Sequence, residues 1–290
     1  MQSIQGDAGI RIVAAGDIAC DAAHSARGGP TDLEARCHSV QTAALISALH
    51  PSAVLALGDL QYFGEDLQTF ERGYGASWGA YRSITHPAVG NHEYEVPSAS
   101  GYFDYWGKGV GERGKGWYSW DLGSWHFIVL NGNCGVREVG GCSKSSEQYR
   151  WLASDLSRHG RGCRLAYWHQ PRFSSGPHGN DSEMADVFSA LYAGGVDVVL
   201  NGHDHNYERF VPLAPSERAD PRGIREFVVG TGGRNHSPFW FPPHKESATI
   251  QDTAFGVLLM TLRRTSYSWR FVPEAGAKYT DNGAGTCHRP

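Results

Sequence analysis

Val196-Asp197-Val198-Val199-Leu200-Asn201-Gly202-His203-Asp204-His205 reads as a short buried strand that stops in a polar loop. Residues 196 to 200, apolar but for Asp197, are of strand length, and Gly202 lets the backbone turn sharply just before two histidines spaced two apart. The same arrangement occurs four more times upstream. Ile10 to Ala15 runs into Gly16-Asp17, and Ala53 to Leu57 into Gly58-Asp59. Thr85 to Val89 runs into Gly90-Asn91-His92, and Leu165 to Trp168 into His169. In open α/β sheets, sites form in the crevice beyond the carboxyl ends of the strands, so five such loops can converge on one place.

The segments between these strands carry helical signals. Val40, Ala43, Ala44 and Ala48 give a stripe that His50-Pro51 stops. Ser145 to His159 reads as a helix capped by Ser145, with Gln148, Tyr149, Leu152 and Leu156 near helical spacing. Met184 to Tyr192 reads as another helix and Trp125 to Leu130 as a further strand. The last third differs: Glu226 to Val229, Gly256 to Leu262 and Tyr267 to Val272 are strand-like, with no helix between them. These patterns predict an α/β fold in the form of an α+β sandwich, with two mixed β-sheets packed face to face and flanked by helices. Residues 1–9 are expected to form a tail and residues 10–290 a single domain, because no linker or repeat divides them.

Composition narrows the function. The 290 residues are 40% hydrophobic and 19% charged, which suits a large core and argues against disorder. Twenty-six basic residues stand against 30 acidic ones, a net charge of −4. A nucleic-acid groove or a polybasic membrane face is therefore not expected. No apolar run approaches the roughly 18 residues of a membrane span. The segment Met1 to Asp7 is polar and lacks a signal-peptide pattern.

Six cysteines, none in a CxxC pair, fit three disulfides whose connectivity the sequence leaves open. Cys134 and Cys142 flank a glycine-rich turn and are expected to pair; Cys20 with Cys37 and Cys163 with Cys287 are the pairings expected for the rest. Disulfides form in oxidising compartments, so secretion or a periplasmic location is expected ahead of the cytoplasm, with any leader absent from this sequence. Asn180 and Asn235 lie in N-x-S tripeptides, a pattern common by chance.

The polar residues at the strand ends offer mixed oxygen and nitrogen donors. Asp, Asn, His and Tyr together suit zinc, iron or manganese better than calcium, which takes all-oxygen cages. Singly, Asp17 and Asp59 are ordinary turn residues and each histidine an ordinary hydrogen-bonding side chain. His126, inside an apolar strand, is read that way. The order of the set changes the reading. Asp17, Gly58-Asp59-Leu60-Gln61-Tyr62, Gly90-Asn91-His92-Glu93, His169 and Gly202-His203-Asp204-His205 resemble the motifs of calcineurin-like metallophosphoesterases. Tyr62, three residues after Asp59, and Asn206-Tyr207-Glu208-Arg209 after His205 are similar to the purple acid phosphatase branch. One departure stands out: Ala19 occupies the position where many members carry a first-motif histidine, and Tyr62 would replace that ligand.

The resemblance implies two metal ions. Asp17, Tyr62 and His205 would hold the first, Asn91, His169 and His203 the second, and Asp59 would bridge them. A phenolate donor favours Fe3+ in the first position; Zn2+, Fe2+ or Mn2+ would take the second. Such a pair would share a hydroxide for in-line attack on phosphorus. His92 and His178 would face the substrate as catalytic residues, and Glu93 would orient His92. Arg172 could meet the phosphate, although a solvated loop arginine is the simpler reading. The aromatic run Tyr102, Phe103, Tyr105, Trp106 and the later Phe239, Trp240, Phe241 could wall a pocket, although such residues mostly fill cores. The implied activity is hydrolysis of phosphoric esters, a phosphomonoesterase first, with a small-molecule phosphate ester as the partner. A phosphodiesterase using the same site is the alternative, and a non-catalytic metal-binding module stands behind both.

Overall fold

In the computed structural model, residues 9–20, 37–160, 162–240 and 242–288 are described. Most of the expected tail, together with Phe241, lies outside them. In chain order the strands are Ile10–Ala15 (β1), Ala19–Cys20 (β2), Ala53–Leu57 (β3), Gln61–Tyr62 (β4), Thr85–Ala88 (β5), Tyr118–Leu122 (β6), Trp125–Val129 (β7) and Cys163–Tyr167 (β8). They continue with Val198–Asn201 (β9), Tyr207–Phe210 (β10), Arg225–Val229 (β11), Ser247–Gln251 (β12), Gly256–Leu262 (β13), Ser266–Pro273 (β14) and Asn282–Thr286 (β15). The helices are Ser39–Leu49 (α1), Leu67–Arg72 (α2), Ser100–Trp106 (α3), Glu147–Arg158 (α4) and Ala185–Ala193 (α5).

Two large mixed sheets form. The first has the order β15-β14-β13-β1-β3-β5, the second β12-β10-β11-β9-β8-β7-β6, and β2 pairs with β4 in a small ribbon. Strands β1, β3 and β5 are parallel, as are β7, β8, β9 and β11. Strands buried on both faces read as continuous apolar runs, which is why these were legible. Alternation then divides each run between two cores. Phe127, Val129, Leu165, Tyr167, Val198 and Leu200 join the core shared with the first sheet. Ile128, Leu130, Ala166 and Val199 face the other way, into the core containing Leu152 of α4 and Phe188 of α5. The C-terminal strands complete both sheets.

Parallel strands put the carboxyl ends of β1, β3 and β5 on one edge, and those of β8 and β9 likewise. A direct bond joins the two edges: the Gly16 amide, just beyond β1, donates to the Val229 carbonyl at the end of β11 (2.9 Å). The loops after both sets of strands therefore meet.

Two helical expectations shift. Ser146, not Ser145, caps α4, its hydroxyl accepting from the Tyr149 amide (3.2 Å). In α1, Val40 is 66% exposed, and the buried face is Ser39, Thr42, Ala43, Ile46 and Leu49. The polar Thr42 belongs there because its hydroxyl donates to the Gly232 carbonyl (2.6 Å) and accepts from the Trp78 indole (3.0 Å). The disulfides are Cys20–Cys37, Cys134–Cys142 and Cys163–Cys287, as expected from sequence. No helix among the described residues is long and apolar enough to cross a membrane.

Candidate metal centre

The loop backbones are unusual where the site residues stand. Asp17, Asp59 and His203 have φ of 60°, 48° and 73°, the left-handed region. Asp and His tolerate that region better than most side chains, yet each such residue costs about 1–3 kcal/mol and persists only where its surroundings enforce it. Glycines supply the close approach. A Cβ on Gly58 (φ +85°) would lie 2.6 Å from His169 Nδ1, and one on Gly202 would lie 2.6 Å from Asp17 Oδ2.

Each carboxylate is held by one oxygen and presents the other inward. Asp17 Oδ2 accepts from the His203 amide (2.8 Å), and Asp59 Oδ1 from the His92 amide (2.9 Å). The inward oxygens crowd around one phenol: Tyr62 Oη is 2.7 Å from Asp17 Oδ1, 3.0 Å from Asp59 Oδ2 and 3.0 Å from His205 Nε2. His169 Nε2 lies 3.1 Å from Asp59 Oδ2 and 3.3 Å from His203 Nδ1. His205 Nε2 lies 3.3 Å from Asp17 Oδ1. Asp59, His169 and His203 offer donor atoms all within 4.8 Å of one another.

This donor set fits metal ions. One hydroxyl proton cannot satisfy two carboxylates and an imidazole, so the cluster has lone pairs to spare. Asn91 Oδ1 is buried without a hydrogen-bond partner, a costly condition that a cation would relieve. Two imidazoles are already oriented. His169 Nδ1 donates to the Leu57 carbonyl (2.8 Å) and His205 Nδ1 to Asn235 Oδ1 (3.0 Å), so each Nε2 is the nitrogen turned into the cluster. The sequon at Asn235 thus lies within the site.

The charges respond to this crowding. Burial alone would raise Asp17 and Asp59, but the facing imidazoles outweigh it, chiefly His205 for Asp17 and His169 for Asp59, and hold both carboxyls below their ordinary value. Burial opposes charge on His169, yet Asp59 and Asp17 push it up to about 10. Burial and the His169 charge push His203 down to about 4. Tyr62 is driven well up by burial and by both carboxylates.

All nine predicted site residues, Asp17, Asp59, Tyr62, Asn91, His92, His169, His178, His203 and His205, come to this one edge of the molecule. The His178 ring is 4.2 Å from that of His203, and its Nδ1 lies 2.8 Å from Asp204 Oδ1. His92 Nε2 is 3.8 Å from Asp59 Oδ2. Two roles need correction. Glu93 does not touch His92. It is buried and accepts from three amides, Gly90 (2.6 Å), Leu60 (2.7 Å) and Asp59 (3.1 Å), so it ties two of the loops together. Burial and the Asp59 charge raise it to about 8. The carboxylate that meets His92 Nδ1 is Glu95, at 2.6 Å. Arg172 is neither solvated nor in the site: it is buried, stacks on Phe173 and faces Glu217 at 3.4 Å. Tyr102, Phe103, Tyr105 and Trp106 are core residues.

Sequence reasoning missed Glu95, Asp204, Asn235 and Arg234. The Arg234 guanidinium lies over the rings of Tyr62 and Phe63, at 5.2 and 4.5 Å. A cavity of about 440 Å3 opens beside Asn91, His178 and His203.

Comparison with known proteins gives the family. The chain is 33% identical over 157 residues to purple acid phosphatase 15 of Arabidopsis thaliana, covering 50% of this chain and 28% of that protein. It is 29% identical over 204 residues to purple acid phosphatase 18 of the same plant, covering 62% and 45%. The chain thus spans less than half the length of these curated relatives. Among solved structures, the purple acid phosphatase PPD1 from yellow lupin (Lupinus luteus) seeds superposes with a TM-score of 0.75 at 20% identity, covering 96% of this chain and 53% of that one, a likeness of fold. Residues 10–207, from the first strand through the paired histidines, match the calcineurin-like phosphoesterase family, and the chain belongs to that family.

Proposed function

We propose that residues 10–290 act as one unit, a dinuclear metal-dependent hydrolase of phosphoric monoesters. The observation that carries this reading is the buried cluster of two carboxylates, a phenol and three imidazoles beside an Asn91 oxygen with no partner. Asp17, Tyr62 and His205 would hold one ion, Asn91, His169 and His203 the other, with Asp59 between them. The phenol and the nitrogen donors suit Fe3+ in the first position and Zn2+, Fe2+ or Mn2+ in the second. When bound, such a pair lowers the pKa of a water and neutralises charge on the phosphoryl group.

The chain's own residues do the rest. His203 and His92 amides fix the two carboxylates. Glu95 holds His92 by Nδ1, so its Nε2 is the atom available to protonate the leaving oxygen. Asp204 holds His178 by Nδ1 and, through this bond, raises its pKa, so a protonated Nε2 can donate to a phosphoryl oxygen. Glu93 keeps the Asp59 and Asn91 loops in register. Secretion or a periplasmic location is supported by the three disulfides.

Elemental analysis of the purified, metal-replete chain, with p-nitrophenyl phosphate and bis(p-nitrophenyl) phosphate assayed side by side, tests the reading. It predicts two ions per chain, a tyrosinate-to-iron band in the visible spectrum and faster monoester cleavage. A faster diester rate would reassign the substrate class. Bound metal with neither activity would make the chain a binding module.

A further inference from the structure

The cavity beside His178 and His203 has a charge pattern of its own. Asp181 and Glu183 line it, and among the described residues on its wall there is no lysine, arginine, phenylalanine, tyrosine or tryptophan. Gln170 also lines it. Its Nε2 donates to Asn133 Oδ1 (2.8 Å) and its Oε1 is closed off from the cavity. Arg172 acts on Asp181 electrostatically but is turned toward Phe173 and Glu217 and does not line the cavity. A wall with two carboxylates accepts hydrogen bonds and repels anions. Without an aromatic cage, it offers little to a quaternary ammonium.

Resting on the monoesterase reading, we propose that this cavity takes the alcohol half of the substrate and selects an alcohol bearing a primary ammonium, so that the substrate is an amino-alcohol monophosphate. Water adds at phosphorus, the P–O bond to the alcohol breaks, and the alcohol leaves with a proton on its oxygen and its ammonium intact; inorganic phosphate is the other product. The carboxylates of Asp181 and Glu183 receive the N–H groups.

The test compares kcat/KM of the metal-loaded chain for O-phosphoethanolamine, phosphocholine, β-glycerophosphate and ATP, with p-nitrophenyl phosphate as the reference. Phosphoethanolamine should exceed β-glycerophosphate by roughly threefold to tenfold, the size of one or two partly exposed ion pairs, and ATP should be slowest. Glu183→Gln should lower the phosphoethanolamine to β-glycerophosphate ratio, and Glu183→Lys should bring it below one. Glu183 is exposed, so neither variant threatens the fold. Turnover of p-nitrophenyl phosphate with a ratio of one that Glu183→Lys does not move would overturn the cavity assignment alone. Equal use of phosphocholine would overturn the N–H assignment. No turnover of p-nitrophenyl phosphate would overturn the hydrolase reading and this inference with it.

Discussion

The second sheet carries a His–Asp cluster at each end, and the two are built differently. At the amino-terminal end of β7, His126 is gripped on both sides, Nδ1 by Asp121 Oδ1 and Nε2 by Asp155 Oδ2, each at 2.7 Å. Asp155 also accepts from Ser119 (2.8 Å), and His159 stacks on His126 at 3.5 Å. Every nitrogen of His126 is spent on a carboxylate. These residues stand on regular strands and a helix end, without the left-handed backbone of Asp17, Asp59 and His203. At the other end, oxygens and nitrogens outnumber the protons available to them, and Asn91 Oδ1 has no partner. Residue types alone do not single out the candidate metal centre; unspent lone pairs held in a strained frame do.

Exchanging one carboxylate at each end should break the symmetry of type most sharply. Asp59→Asn is expected to lower metal content and to cut kcat by roughly 100-fold or more, since even residues behind the ligands cost 10–100-fold. Asp155→Asn should leave metal stoichiometry unchanged in the same elemental analysis. Glu93→Gln replaces one of the two oxygens that accept from the Asp59, Leu60 and Gly90 amides with an NH2 group, and we expect about tenfold weaker metal binding in a chelator competition, with a lower Tm.

The amino-terminal cluster should announce itself through pH instead. Burial works against charge on His126, but Asp155 and Asp121 overcome it and raise its pKa. A raised histidine stabilises the fold fully below its unfolded value near 6.5, and that contribution is lost as pH rises through the folded value. His126→Ala should therefore cost about 1–3 kcal/mol at pH 6 and distinctly less at pH 9, read from urea unfolding. A constant difference across that range would contradict the charged clamp. The smallest effect is expected at the rim: Glu95→Gln should reduce kcat only about threefold to tenfold, because both Glu95 and His92 are partly exposed.

The centre was more legible than its supports. Asp17, Asp59, Asn91, His169, His203 and His205 follow apolar strands, four of the five loops with a glycine before the polar residue, and that local signature needs no tertiary knowledge. Glu95, Asp204 and Asn235 matter only because folding sets them behind a histidine, and no spacing rule foretells it. Glu93 was misassigned because adjacency in sequence suggested His92, whereas a 3-10 turn over His92–Glu95 aims the two side chains apart. Among the strands, β6 was missed because its half-exposed edge residues lack a clean alternation. β10, Tyr207-Glu208-Arg209-Phe210, was missed because its charges read as loop; folding buries Glu208 on Ser175 and pairs Arg209 with Asp281 at 2.7 Å. In α1 the buried stripe includes Thr42, whose partners come from the Gly232 loop and Trp78, far along the chain.

Anomalous diffraction from crystals of the metal-replete chain, collected at the iron and zinc edges, tests the central claim most directly. The account predicts two peaks about 3.5–4 Å apart, with an Asp59 carboxylate between them, Asn91 Oδ1 turned to one, and no peak beside His126 and His159. A single peak, or density at His126 in place of the strand-end loops, would contradict it.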